Sequence, residues 1–115
     1  MPSDCLFCRI IAGELPSSLV HSDDSIFAIR DISPQAPTHI LILSRKHVAS
    51  VSDLSGADEA IVGKLFAAAA EIAKREGIAK GGYRLVVNTG RDAGQTVDHL
   101  HVHMLGGRHM SWPPG

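Results

Sequence analysis

Three histidines alternate with apolar residues in His99-Leu100-His101-Val102-His103, and Met104 and Leu105 continue the run. A strand turns successive side chains to opposite faces. This spacing therefore predicts one face carrying three imidazoles and another carrying Leu100, Val102 and Met104. A core-packing strand has no use for such a row, because every ring nitrogen must be hydrogen-bonded or left wet. Three chemistries are open. The row could be a solvated edge strand. It could hold a metal ion, since histidines at i and i+2 on a strand can chelate one. That reading lacks a carboxylate base on the same face, because Asp98 is adjacent in sequence and points the other way. The third is nucleophilic catalysis at phosphorus. An imidazole is largely deprotonated near pH 7 and attacks well. The phosphoramidate it forms carries a good leaving group, so water resolves it, while neighbouring histidines and loop amides steady the phosphoryl oxygens.

A second pair of reactive groups stands near the start, Cys5 and Cys8, spaced C-x-x-C. A bridge between them closes too short a loop to staple a domain. A metal or redox role competes with two free thiols at a helix start.

The elements that position these groups are legible from pattern. Phe7 to Ala12 reads as a short helix stopped by Gly13 and Pro16. Leu19 to His21 and Ile26 to Arg30 read as strands around a Ser22-Asp23-Asp24 turn. Asp31 to Pro37 is a loop stiffened by two prolines, and Thr38 to Leu43 is a strand. A helix is expected from Gly56 to Glu76, with Ser55 and Asp58 as a capping box and Gly77 as the stop. Its buried face carries Ile61, Leu65, Ala68 or Ala69, and Ile72. Tyr83 to Val87 is a strand, Asn88 to Thr96 a Gly-rich loop, and the histidine strand follows. No repeat or linker interrupts the 115 residues, so one α+β domain over 1–115 with a mostly antiparallel sheet is expected.

Composition excludes several classes. Net charge is −1 with 4% aromatics, which leaves neither the basic stripe nor the stacking platforms of a nucleic-acid groove. The longest apolar run is far short of a membrane span. The opening Met1-Pro2-Ser3-Asp4 has no signal-peptide pattern, so a cytoplasmic protein is expected.

The run Gly94-Gln95-Thr96-Val97-Asp98-His99-Leu100-His101-Val102-His103-Met104-Leu105-Gly106-Gly107-Arg108 resembles the signature of the histidine triad (HIT) superfamily. Asp31-Ile32-Ser33-Pro34-Gln35-Ala36-Pro37-Thr38-His39 is similar to its second motif. The tail from Gly106 to Gly115, with Trp112-Pro113-Pro114-Gly115, is similar to the ending of the Hint branch, the purine nucleoside phosphoramidases. The resemblance spans nearly the whole chain. It implies a HIT-like fold: a five-stranded sheet with one long and one short helix, continuous across a homodimer. It implies hydrolysis of adenosine or guanosine 5′-phosphoramidates and aminoacyl adenylates such as lysyl-AMP through a nucleotidyl-histidine. A dinucleoside polyphosphate hydrolase and a nucleotide-binding regulatory protein are the alternatives; the complete tail argues against the first.

Carried onto this chain, the resemblance makes His101 the nucleophile, its second ring nitrogen held by the carbonyl of His99. His103 contacts the phosphate and scissile region, and Thr96 the leaving group. His39 stands behind the triad. Gln95 and Asn88 match phosphate- and ribose-side polar positions. Asp31 accepts from both ribose hydroxyls. Leu6, Phe7, Ile10, Ile29 and Ile32 make the base slot. Trp112 docks on the partner subunit near its active site. Bacterial relatives imply a structural zinc on Cys5, Cys8, His47 and His99, a closed tetrahedral set, and no organic cofactor. Two departures stand out: Ser111 where relatives often carry a bulkier residue, and Thr96 where a serine is common.

Overall fold

Runs of β-branched and aliphatic residues build the sheet. In the computed structural model, which describes residues 4–115, the strands are β1 (Leu19–Ser22), β2 (Ile26–Arg30), β3 (Thr38–Ser44), β4 (Tyr83–Val86) and β5 (His101–Gly106). They lie in the order β1-β2-β3-β5-β4, and every neighbouring pair is antiparallel. The segment Met1–Ser3, part of the expectation about localisation, lies outside the described residues. No helix among the described residues is long and apolar enough to cross a membrane.

Period-2 alternation sorts the side chains. Ile26, Ala28, Ile40, Ile42, Val102 and Met104 face one way and form the main core with Leu65, Ala68, Ala69, Ile72 and Ala73 of the long helix α2 (Glu59–Arg75). Ile29, Leu41 and Leu43 face the other way and pack with Phe7 of the short helix α1 (Leu6–Ile11). Leu41 pairs with His103 and Leu43 with His101 across β3 and β5, so these two histidines belong to the α1 side.

Both helices differ from expectation at their ends. The expected helix from Gly56 begins instead as a 3₁₀ turn, Gly56–Asp58, with α2 proper starting at Glu59. The capping box of Ser55 and Asp58 is present. Asp58 is also tied to Lys46 Nζ at 2.6 Å, and its own N–H donates to Ser55 O at 3.0 Å. That i→i+3 closure tightens the first turn. Gly77, at φ +76, ends the helix, with the Ile78 N–H reaching Ala73 O at 3.0 Å. Both Ala68 and Ala69 are buried, whereas Ile61 lies half-buried at the margin. α1 runs one residue earlier than expected because Cys5 caps it: the Cys8 N–H donates to Cys5 Sγ at 3.4 Å. A short 3₁₀ turn at Val51–Asp53, capped by Ser50, was not expected from the sequence.

The larger correction concerns the histidine strand. The β5 ladder begins at His101, not His99. The Leu100 N–H donates to Val48 O at 2.7 Å, which pulls the residues ahead of β5 against the segment leaving β3. His99 therefore sits in the bend before the strand. Its ring lies edge-on to His47, with centroids 5.0 Å apart.

β5 ends at Gly106, and Gly107, at φ +89, turns the chain into the tail. A Cβ at Gly107 would meet Pro37 Cβ at 2.9 Å. Gly107→Ala is expected to lose about 1–3 kcal/mol from strain and overpacking, read as a lower midpoint in denaturant with an unchanged slope. A midpoint equal to that of the unmodified chain would show that this turn tolerates a side chain.

Candidate functional site

The hydrogen bonds around the histidines assign their tautomers. His101 Nδ1 lies 2.6 Å from the carbonyl oxygen of His99. A carbonyl only accepts, so Nδ1 carries the proton and Nε2 keeps a free lone pair. The Gln35 backbone N–H donates to His39 Nδ1 at 3.0 Å. That places the His39 proton on Nε2, which lies 3.0 Å from His103 Nδ1 and 3.4 Å from Asp31 Oδ2. His103 thus accepts at Nδ1 and keeps its own N–H on Nε2. The two histidines of β5, with ring centroids 5.1 Å apart, hold opposite tautomers: one is a base, the other a donor.

A cleft of about 260 Å³ opens beside them. Its walls include Leu6, Phe7, Ile10, Ile29, Asp31, Ile32, Thr96, His101 and His103, all expected from the sequence. Arg30, Leu41 and Val97 complete it and were not expected. Strand parity signals Leu41, which alternates with Ile40 and Ile42; no comparable signal marks Arg30. Phe7 stands edge-on to His101, centroids 5.0 Å apart and planes at 78°. Asp31 Oδ1 accepts from the Ser33 N–H at 2.8 Å, and each oxygen keeps further lone pairs. Ile32 is 98% exposed, at the rim.

Other expected residues lie elsewhere. Asn88 is not in the cleft wall. Gln95 is not either, and its side chain braces a loop: Oε1 accepts from the Gly90 N–H at 2.9 Å, and Nε2 donates to Ala49 O at 2.8 Å and Val97 O at 3.0 Å. His39 lies behind His103 rather than in the wall. Trp112 is 81% exposed, outside the cleft of its own chain.

A second cluster gathers Cys5, Cys8, His47 and His99. Cys5 Sγ to His99 Nδ1 is 3.4 Å, Cys8 Sγ to His99 Nδ1 3.5 Å, Cys8 Sγ to His47 Nδ1 3.3 Å, and His47 Nδ1 to His99 Nδ1 3.2 Å. A tetrahedron with metal–sulfur bonds of about 2.3 Å and metal–nitrogen bonds of about 2.0–2.1 Å has nitrogen–nitrogen and sulfur–nitrogen edges of roughly 3.3–3.6 Å. The three sulfur–nitrogen pairs and the nitrogen pair above stand close to those separations, and all four donor atoms lie within 4.8 Å of one another. His99 Nε2 lies 2.6 Å from Ser44 O, so its proton is on Nε2 and Nδ1 is free to ligate. That is the backbone support typical of a metal-bound histidine. Burial, and then the Cys5 thiol, push the Cys8 thiol up to about 11. A divalent cation reverses that preference. These four residues could bind a metal such as zinc. Asp31, His39 and His103 also lie close enough together to be considered. There the Gln35 N–H occupies His39 Nδ1, so Nε2 holds a proton where a ligating lone pair would be needed.

Burial dominates the titration of the inner histidines. His39 is pushed below the ordinary 6.5 by burial, with Asp31 opposing. His103 is pushed down to about 4, first by burial and then by repulsion from His101 and His39. The folded state thus resists protons that the unfolded chain binds. The stability this contributes is complete above about pH 6.5 and is lost as pH falls toward about 4. Asp23, held at about 2 chiefly by its bond to His21, loses its contribution in a lower window. Denaturant midpoints are expected to fall between pH 6.5 and 4.5, with a shallower fall in His103→Asn. Equal slopes in both proteins would refute the assignment to His103.

Comparison with known proteins agrees with this geometry. Residues 12–110 match the HIT domain family. The chain is 50% identical over 108 residues to a purine nucleoside phosphoramidase of Escherichia coli K12, covering 94% of this chain and 91% of that one. It superposes on a HIT family hydrolase of Legionella pneumophila with a TM-score of 0.96 and 47% identity, covering 97% of this chain and 100% of that one. For a histidine triad protein of Clostridium difficile the TM-score is 0.94 and the identity 40%, covering 96% of both chains. With its sheet order, its paired tautomers and its matched residues taken together, the chain belongs to the HIT domain family.

Proposed function

We propose that this protein is a purine nucleoside phosphoramidase, hydrolysing adenosine and guanosine 5′-phosphoramidates and aminoacyl adenylates such as lysyl-AMP. The observation that carries this reading is the His101 ring, fixed by the 2.6 Å bond to His99 O with its basic Nε2 left for the cleft. The 50% identity to the E. coli phosphoramidase supports the same chemistry.

In this reading Nε2 of His101 attacks phosphorus. A P–N bond to the ring forms as the bond from phosphorus to the leaving group breaks, P–N to an amine in a phosphoramidate and P–O to a carboxylate in an aminoacyl adenylate. An amine departs with a proton, for which His103 Nε2–H and the Thr96 hydroxyl, both residues of the cleft wall, serve as donors in this reading. Water then attacks the nucleotidyl-histidine, releasing the nucleotide and restoring His101. The base rests in the slot of Leu6, Phe7, Ile10, Ile29 and Ile32, and Asp31 accepts from the ribose hydroxyls. Asn88 and Gln95 act from the loop: Gln95 orients its amides rather than touching phosphate.

The same reading takes the protein as a cytoplasmic homodimer, with the unpaired edge of β4 as the seam of a continuous sheet and Trp112 covered by the partner. The metal held by Cys5, Cys8, His47 and His99 is zinc, with a structural role. When bound it clamps α1 to the sheet, and with four protein ligands it leaves no open position for a catalytic water.

Turnover of a fluorogenic AMP–amine conjugate, compared with diadenosine polyphosphates, tests the substrate class. Preference for the polyphosphates would overturn it. His101→Ala is expected to lose several orders of magnitude in kcat while AMP binding survives. A nucleotidyl adduct trapped on any other residue would displace His101 as nucleophile. Elemental analysis is expected to find one zinc per chain, and its removal to lower the thermal midpoint. A protein with ordered free thiols and no metal would remove zinc from the account.

A further inference from the structure

The metal-ligand cluster and the nucleophile share one residue. His99 turns Nδ1 to the two cysteines, gives its Nε2–H to Ser44 O, and offers its carbonyl to the Nδ1–H of His101. Among the described residues, no acceptor other than that carbonyl holds His101 Nδ1. The ring and the carbonyl of His99 flank the same Cα, so whatever fixes the ring limits where the carbonyl points.

A second connection runs through α1. Phe7 lies between Cys5 and Cys8 in the chain, and both cysteines reach the His99 ring. The Phe7 ring is edge-on to His99 at 5.9 Å and to His101 at 5.0 Å. Tying both cysteines down therefore also sets the wall against which the His101 ring rests. The two cavities meet at one partition: Leu6, Thr96 and Val97 line the nucleotide cleft and also a 370 Å³ cavity bordered by Cys5 and His47.

We infer that the metal centre is a positioning device for His101, acting through the carbonyl of His99 and the ring of Phe7, and not only a staple for the fold. The inference rests on the reading of His101 as nucleophile. His47 is its informative handle. It touches the cluster but does not line the nucleotide cleft. His47 is thus a positioning residue two steps removed from the chemistry. With the metal bound, His101 is held as the single Nδ1–H tautomer. With the metal lost, the His99 carbonyl is released, the ring samples the other tautomer, and Nε2 carries a proton part of the time and cannot attack.

The test uses the full chain with its metal. Imidazole tautomers are read by ¹⁵N NMR on histidine-labelled protein, alongside kcat on the AMP–amine conjugate and AMP affinity. The samples are the zinc-loaded chain, the same chain stripped by a chelator, His47→Ala, and His47→Cys, which keeps a closed zinc set of three thiolates and one imidazole. Stripping and His47→Ala are expected to mix the His101 tautomers and lower kcat about 10–100-fold, as loss of supporting groups around metal sites does. AMP affinity is expected to change less than threefold, and His47→Cys to restore both tautomer and rate. A pure Nδ1–H tautomer after metal removal would overturn the inference. So would global unfolding on stripping, which would reduce the metal to a folding role. Absent turnover in the zinc-loaded chain would instead overturn the phosphoramidase reading, while the tautomer result would still decide whether the metal positions His101.

Discussion

The antiparallel register between β3 and β5 is the constraint on which the rest of the structure depends. Leu41 opposite His103 and Leu43 opposite His101 put both imidazoles on the α1 side, where a cleft can use them. A slip by one residue would turn them beneath α2 among Ile40, Ile42, Ile72 and Met104. That penalty, several unsatisfied ring nitrogens inside an apolar layer, makes the register steep. The same parity turns His39 to the α1 side, diagonal to His103, so the hydrogen bond between them follows from strand pairing rather than from a special loop.

Given that register, the polar interior closes on itself. Among the described residues no buried side-chain nitrogen or oxygen lacks a hydrogen-bond partner, even though His39, Ser44, Asp58, His99 and His101 are all buried. His39, His99 and His101 each meet a backbone group that can only donate or only accept, which breaks the symmetry between the two nitrogens, and His39 passes the choice on to His103. A row of identical side chains thereby acquires different protonation patterns. Low polarity around His103 reinforces the assignment by disfavouring its charged form.

Much of this was readable from residue order. The alternation in β3 and β5, the Ser55–Asp58 box, the Gly77 stop and the C-x-x-C spacing are local patterns, and local patterns survive folding when tertiary packing agrees with them. What was not readable came from long-range partners. His99 looks like a strand residue beside His101. Its departure from the ladder is decided by Val48, Ser44 and two cysteines more than ninety positions away. Gln95 matches a phosphate-side polar position in the resemblance to the HIT superfamily. Only the fold shows that Ala49, Gly90 and Val97 use both ends of its amide. Arg30 lies in the wall of the cleft while its guanidinium is turned to Glu76 at 2.9–3.0 Å, a division that no pattern in the strand announces.

The backbone of Gln35 sits between two demands. Its carbonyl accepts from the Arg108 guanidinium at 3.0 Å, and its N–H donates to His39 at 3.0 Å. That oxygen belongs to the peptide group joining Gln35 to Ala36 and that N–H to the one joining Pro34 to Gln35, so two successive peptide planes are pinned. Arg108 holds one plane and His39 the other, so neither can rotate about the Gln35 Cα without giving up a hydrogen bond. The root of the tail thus helps to hold still the loop amide whose donation leaves the His39 proton on Nε2, facing His103.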